Sequence, residues 1–141
     1  MKRILALDVG EKRIGVAVSD PLGLTAQGVE TIFSKGIARD HERIVQLLNI
    51  YETDRIVVGL PRSMNGSEGF QAERVREFMQ GLIEWGYRVK WQDERLTSAS
   101  ATRTLLEGNV SRVKRKQVID KLAATYILQG FLDAGGWKDD A

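Results

Sequence analysis

Three regions of the 141-residue chain place carboxylates where water is expected to be scarce. Asp8 lies inside the apolar run ILALDVG, Asp93 and Glu94 close the strand-like YRVKWQDER, and Asp120 opens VIDKLAATYILQGF. Over residues 4–9 period-two alternation puts Ile4, Ala6 and Asp8 on one face and Leu5, Leu7 and Val9 on the other, and both faces read as buried. An ionised carboxylate there must be paired, hydrogen-bonded or bound to a metal, because burying it bare is costly. The plainer alternative is that Asp8 only begins a turn. If Val89 and Trp91 face one layer, Asp93 continues it, while Glu94 shares a face with Arg88, Lys90 and Gln92. Alternation therefore selects neither acid. Asp120 precedes Ala124, Ile127 and Phe131 at i+4, i+7 and i+11, an apolar stripe that must face a sheet, so it points inward near a helix N-terminus. An acid favoured by the helix dipole is the plainer account of Asp120.

Oxygen ligands converging at strand ends suit a divalent metal and phosphate. Two metals about 3.5–4 Å apart, bridged by an aspartate, activate water and stabilise the leaving oxygen in phosphodiester hydrolysis, with no side-chain nucleophile. The composition agrees. Cysteine is absent and His41 is the one histidine, which excludes disulfide frameworks, thiol nucleophiles and Cys/His zinc sites. His41, within RDHER, reads as a solvated histidine on a helix surface rather than a triad base. An all-oxygen site favours Mg²⁺ or Mn²⁺. No apolar run is long enough to span a membrane, and MKRILALDVG meets an acid and a glycine before a signal-peptide core forms, so no membrane partner and a cytoplasmic location are expected.

The elements that would position these acids follow from periodicity and punctuation. Residues 4–9 and 14–19 flank the turn GEKR as a β-hairpin, with Gly15, Ala17 and Ser19 giving the second strand one small-residued face. A third strand is expected over 28–33, a helix over 40–51, an uninterrupted apolar strand over 55–61, a helix over 70–85 stopped by Gly86, and a strand over 87–95. A short helix from Thr97 or Ser98 to Leu106, a basic loop and a last helix over 118–132 complete the chain. This order reads as one α/β domain over 1–141, a five-stranded mixed sheet with an antiparallel hairpin at its edge, parallel crossovers and flanking helices.

LDVGEKRIGVAVSD, VVGLPRSMNGSEG, DERLTS and DKLAA, in this order over nearly the whole chain, resemble the YqgF family, also called RuvX or the pre-16S rRNA nuclease family. The resemblance implies an RNase H-like fold related to RuvC Holliday-junction resolvases, with Asp8, Glu94 and Asp120 as catalytic acids and metal ligands. It is the resemblance that selects Glu94 over Asp93. It also implies a hydrolase that processes the precursor of small-subunit ribosomal RNA in ribosome biogenesis. RuvC-type enzymes carry a further acid or histidine around the last aspartate, whereas Gln117 stands three residues before Asp120, a departure that weighs against junction cutting more than against nuclease chemistry. The alternatives are a Holliday-junction resolvase, a non-catalytic RNA-binding assembly factor and, much less favoured, a phosphotransferase of the actin and hexokinase type, which needs two such domains.

Nucleic acid, structured RNA or branched DNA, is the expected partner, with the protein a monomer or weak homodimer. Lys and Arg total 21 against 19 Asp and Glu, so only local basic patches matter. Gly10, Lys12 and Arg13 in the hairpin turn offer backbone amides and cations to a phosphate. Arg62, Asn65 and Ser67 are the polar groups of a loop at a strand end, the usual ligand position in an α/β sheet. Arg95 adjoins Glu94. Arg112, Lys114, Arg115 and Lys116 form an acid-free run suited to tracking a backbone. Trp85, Trp91 and Trp137 are expected to pack in the core or at helix ends rather than stack on bases.

Overall fold

The structure, a computed structural model, describes residues 2–61, 69–93 and 112–138, with side chains from residue 122 onward in the last segment. Its elements are β1 (Leu5–Val9), β2 (Arg13–Ser19), β3 (Ala26–Phe33), α1 (Ile37–Ile50), β4 (Arg55–Leu60), α2 (Phe70–Glu84), β5 (Arg88–Asp93) and α3 (Arg112–Asp133). The strands form one sheet in the order β3-β2-β1-β4-β5. β1 pairs antiparallel with β2, and β2 with β3, while β4 runs parallel to both β1 and β5. The expected hairpin, central apolar strand and parallel crossover are all present. The expected short helix after β5 lies outside the described residues.

Alternation along the strands builds two cores. Leu5, Leu7, Ile14, Val16, Ile56 and Val58 meet Ile44, Leu48, Val75, Met79 and Leu82 of α1 and α2 on one side of the sheet. Ile4, Ala6, Ala17 and Val57 meet Ala124, Leu128 and Trp137 on the other. The second interface is made of small strand residues, which lets the α3 backbone approach closely. Gln129 locks the helix direction: its side chain accepts the Ala26 N–H (3.0 Å) and donates to the Leu24 carbonyl (3.1 Å). Ala26 pairs with Ser19, whose N–H donates to the Ile4 carbonyl at 2.9 Å. The C-terminal half of α3 therefore lies at the amino end of β1, and its N-terminal half extends towards Asp8.

Two sequence expectations need correction. The basic run is not a loop: α3 begins at Arg112 rather than at residue 118, so Arg112, Lys114, Arg115 and Lys116 occupy its opening turns. Lys, Arg and Gln are strong helix formers and no glycine or proline interrupts 112–118, so propensity prevails even though cations oppose the dipole at this end. His41 is not solvated either. It is 4% exposed, its Nε2 lies 2.7 Å from the Phe78 carbonyl, and its ring meets Phe78 and Trp85 edge-on. Gly81 of α2 makes the room, since a Cβ there would sit 2.7 Å from His41 Cε1. Neighbouring Asp40 is buried as well, accepting from Ser34 Oγ (2.5 Å) and the Lys35 N–H (3.0 Å) at the entry to α1.

Candidate active site

Asp8 is 7% exposed on β1, two residues beyond Ala6 on the face that receives α3. Gly15 stands directly opposite it in the β1–β2 register. On the other side Leu7 pairs with Val58, and one step further sets Gly59 beside Asp8. The carboxylate is thus flanked by two positions without side chains, on a face that also carries Ala6, Ala17 and Val57. Since β1, β4 and β5 run parallel, their carboxyl ends share one edge of the sheet, and Asp8 sits at that edge.

The same register separates the two acids that alternation in β5 left undivided. Val57 pairs with Lys90 and Gly59 with Gln92, so the even-numbered residues of β5 share the face of Asp8. Val89 and Trp91 pack against the α1–α2 core, and Asp93 continues their parity. Glu94, Arg95, Arg62, Asn65 and Ser67 lie outside the described residues. For Asp120 the described feature is its backbone position, one turn before Ala124 and two before Leu128. From Gln129 back to Asp120 the helix rises about 13 Å; from Ile4 to Asp8 the strand rises about 13 Å as well. The half of α3 that carries Asp120 therefore runs from the Gln129 anchor towards the carboxyl edge of β1. Among the described residues no group of three metal-ligating side chains comes together, and the one histidine of the chain lies on the opposite side of the sheet.

The hairpin turn between β1 and β2 is tied internally. The Gly10 N–H donates to the Arg13 carbonyl at 2.8 Å, and a Cβ on Gly10 would sit 2.7 Å from that oxygen, so glycine is required for closure. This amide is therefore already engaged within the turn. A cavity of about 170 Å³ opens beside it between Val9, Ser34, Asp40 and Arg74, on the α1–α2 side rather than beside Asp8.

One cluster escapes sequence reading altogether. Trp137, 9% exposed, carries Lys90 Nζ 4.9 Å from its ring centroid and the guanidinium carbons of Arg55 and Arg88 at 5.5 and 5.9 Å. Trp85, by contrast, is 61% exposed at the end of α2. Alternation puts Arg88 and Lys90 on one face, but only the β4–β5 register and the return of the chain after α3 bring Arg55 and Trp137 to them.

A mixed sheet of this order, with β2 and β3 added by successive antiparallel pairings on one side of β1 and two parallel strands on the other, has the RNase H-like architecture of RuvC. Thermus thermophilus RuvC in complex with a Holliday junction substrate superposes with a TM-score of 0.60 at 15% identity, over 98% of this chain and 99% of that one. A second T. thermophilus RuvC structure gives 0.57 at 14% identity, over 94% and 96%. Residues 2–134 match the RuvX family, described as Holliday junction resolvase, and the chain belongs to that family. Curated relatives carry the name "Putative pre-16S rRNA nuclease": one from Moorella thermoacetica is 56% identical over 135 residues, 95% of this chain and 96% of that one. Another, from Clostridium botulinum strain Hall, is 53% identical over 133 residues, 94% and 97%.

Proposed function

We propose that this protein is a divalent-metal-dependent nuclease that hydrolyses phosphodiester bonds in the precursor of 16S ribosomal RNA, with Asp8, Glu94 and Asp120 as its catalytic acids. Family membership and the nuclease names of relatives above 50% identity support hydrolysis of phosphodiester bonds. The observation that carries the site is the burial of Asp8 between Gly15 and Gly59 at the carboxyl edge of the sheet. Glu94 follows β5 directly and has the sequence parity of Lys90 and Gln92, which share the Asp8 face, and the half of α3 that carries Asp120 extends towards the same edge. The donor set is all oxygen, and the glycine flanks leave room beside the carboxylate, so the residues fit a hard cation such as Mg²⁺ or Mn²⁺. When bound, such ions lower the pKa of a coordinated water and stabilise charge on the leaving oxygen.

The chain's own residues contribute position and charge. Asp8 is held on a strand buried on both faces, so its carboxylate cannot swing away from the edge. Asp120 rides on a helix whose far half is fastened by Gln129, and Glu94 follows a strand paired along its whole length. We assign Lys12, Arg13, Arg62, Asn65, Ser67, Arg95 and the basic opening of α3 to holding the phosphate backbone, a contact that fixes position without reading sequence.

The test offers purified protein a precursor 16S RNA, a generic single-stranded RNA and a four-way DNA junction, each with Mg²⁺ and with Mn²⁺. Cleavage of the precursor is expected to exceed symmetric resolution of the junction. Paired symmetric nicks in the junction with RNA left intact would replace the proposal with the resolvase reading.

A further inference from the structure

One row of residues crosses the carboxyl edge of the sheet on the face of Asp8. Gly15 pairs with Asp8 on one side, Gly59 lies beside it on the other, and Gly59 pairs in turn with Gln92 of β5. Lys90, two residues earlier, pairs with Val57 of the α3-side core, so Gln92 projects from that same face. Two strand spacings, about 10 Å, separate the backbones of Asp8 and Gln92. The strand between them contributes no side chain there.

Gln92 is half-buried, and its side-chain amide makes no hydrogen bond among the described residues. Lys90 differs. Its Nζ donates to the Lys138 carbonyl at 2.9 Å and lies 4.9 Å from the Trp137 ring centroid, so the returning chain end occupies β5 at that level. Residue 92 stands about 6.6 Å further towards the edge. Its hydrogen-bonding capacity is unspent. Glutamine brings two N–H donors without charge, whereas ionised carboxylates only accept and repel a phosphodiester. A neutral donor on this face is therefore the complement of the acids assigned to the site.

We propose that Gln92 is a further catalytic residue of the nuclease site, its amide N–H donating to a non-bridging oxygen of the phosphodiester being cut. The inference rests on the nuclease reading above and adds to it the group that holds the phosphate over Gly59. The phosphate occupies the interval that the glycine leaves, with Asp8 on one side and the amide on the other. A donor fixed before the reaction contributes most where charge develops, so its loss is felt in kcat rather than in KM.

Cleavage kinetics of Gln92→Ala and Gln92→Glu, on whichever of the precursor RNA, the single strand and the junction wild type cuts, test the assignment together with thermal melts with and without Mn²⁺. Gln92→Ala should lower kcat by about 100-fold, the lower end of the loss from removing one fixed donor, with KM little changed. Gln92→Glu keeps the shape and an acceptor but loses the donors, so it should cleave no better than Gln92→Ala. Without metal, Gln92→Ala should melt as wild type does, because the amide bonds nothing within the protein. Its rise in melting temperature with Mn²⁺ should also match wild type. A smaller Mn²⁺ response in Gln92→Ala, or wild-type cleavage by Gln92→Glu, would make the side chain a metal ligand through its carbonyl and overturn the proposal. An unchanged kcat in Gln92→Ala, or a lower metal-free melting temperature, overturns it in favour of a binding or structural role. Each of these results leaves the nuclease reading intact, whereas failure of wild type to cut any of the three substrates overturns both.

Discussion

Asp8 and Gly15 face each other across the β1–β2 register, so the buried carboxylate has a backbone rather than a side chain as its neighbour on that strand. Asp8→Asn keeps the shape and removes the charge. If the acids converge, their mutual repulsion weakens the metal-free protein and metal relieves it. Asp8→Asn should cut cleavage by more than about 100-fold, leave the metal-free protein at least as stable as wild type, and shrink the rise in melting temperature caused by Mn²⁺. A purely structural Asp8 gives the reverse, a loss of about 1–3 kcal/mol without metal and an unchanged metal response. Thermal melts of both proteins with and without Mn²⁺ decide.

Asp93 shares the parity of Val89 and Trp91, which pack on the α1–α2 side. Asp93→Asn should therefore retain most activity, whereas Glu94→Gln should lose it as Asp8→Asn does. Cleavage rates at saturating metal compare the two; a greater loss in Asp93→Asn would reverse the assignment.

Neutralising Lys114, Arg115 and Lys116 together should weaken nucleic-acid binding across sequences. The salt slope should fall by roughly two to three units, at about 0.7 to 0.9 per phosphate contact. Circular dichroism of the triple glutamine variant should show helix content kept, since Gln is as good a helix former as Lys. An unchanged slope would make the opening of α3 a solvated surface.

Gly81→Ala should destabilise although alanine favours a helix by about 1 kcal/mol over glycine. The added methyl meets the His41 ring, which Phe78 and Trp85 hold in place, and overpacking typically costs about 1–3 kcal/mol. In a His41→Ala background the same change should become neutral or stabilising. Urea unfolding of the four proteins in that cycle measures the coupling; additive effects would mean that the ring shifts freely.

Asp20 accepts from the Thr25 N–H at 3.0 Å and the Leu24 N–H at 2.7 Å, and these bonds, Thr25 foremost, hold its carboxyl below the ordinary 3.8. At Asp54 burial pushes the carboxyl up, but the hydrogen bond and charge of Lys2, with Arg88 beyond, bring it below 3.8. Both folded-state values are depressed, so their contribution to stability is present above 3.8 and is lost as pH falls through the lower folded values. The melting-temperature gap between wild type and Asp20→Asn should be widest above pH 5 and should close on acidification below 3.8. A gap independent of pH would assign the loop's stability to other groups.

Local pattern determined much of this protein. Alternation over residues 4–9 and 14–19, the apolar run of 55–60 and the helical spacing of 70–84 act between near neighbours in the chain, and they prescribe the strands, the crossovers and the inward turn of Asp8. Helical spacing also turns Asp120 inward, while the family motifs select Glu94 over Asp93. Tertiary structure decided what depends on which surfaces meet. RDHER reads as solvent-facing because all four residues around His41 are charged, yet Gly81, forty residues away, lacks the side chain that would have kept α2 off that ring. The face of each β5 residue was undecided until pairing with β4 aligned Lys90 with Val57. Trp137 became a cation platform only because the chain returns after α3 to the start of β4 and β5. Packing partners such as these are far apart in sequence, and periodicity, which reports only which face a residue takes, carries no information about what that face will meet.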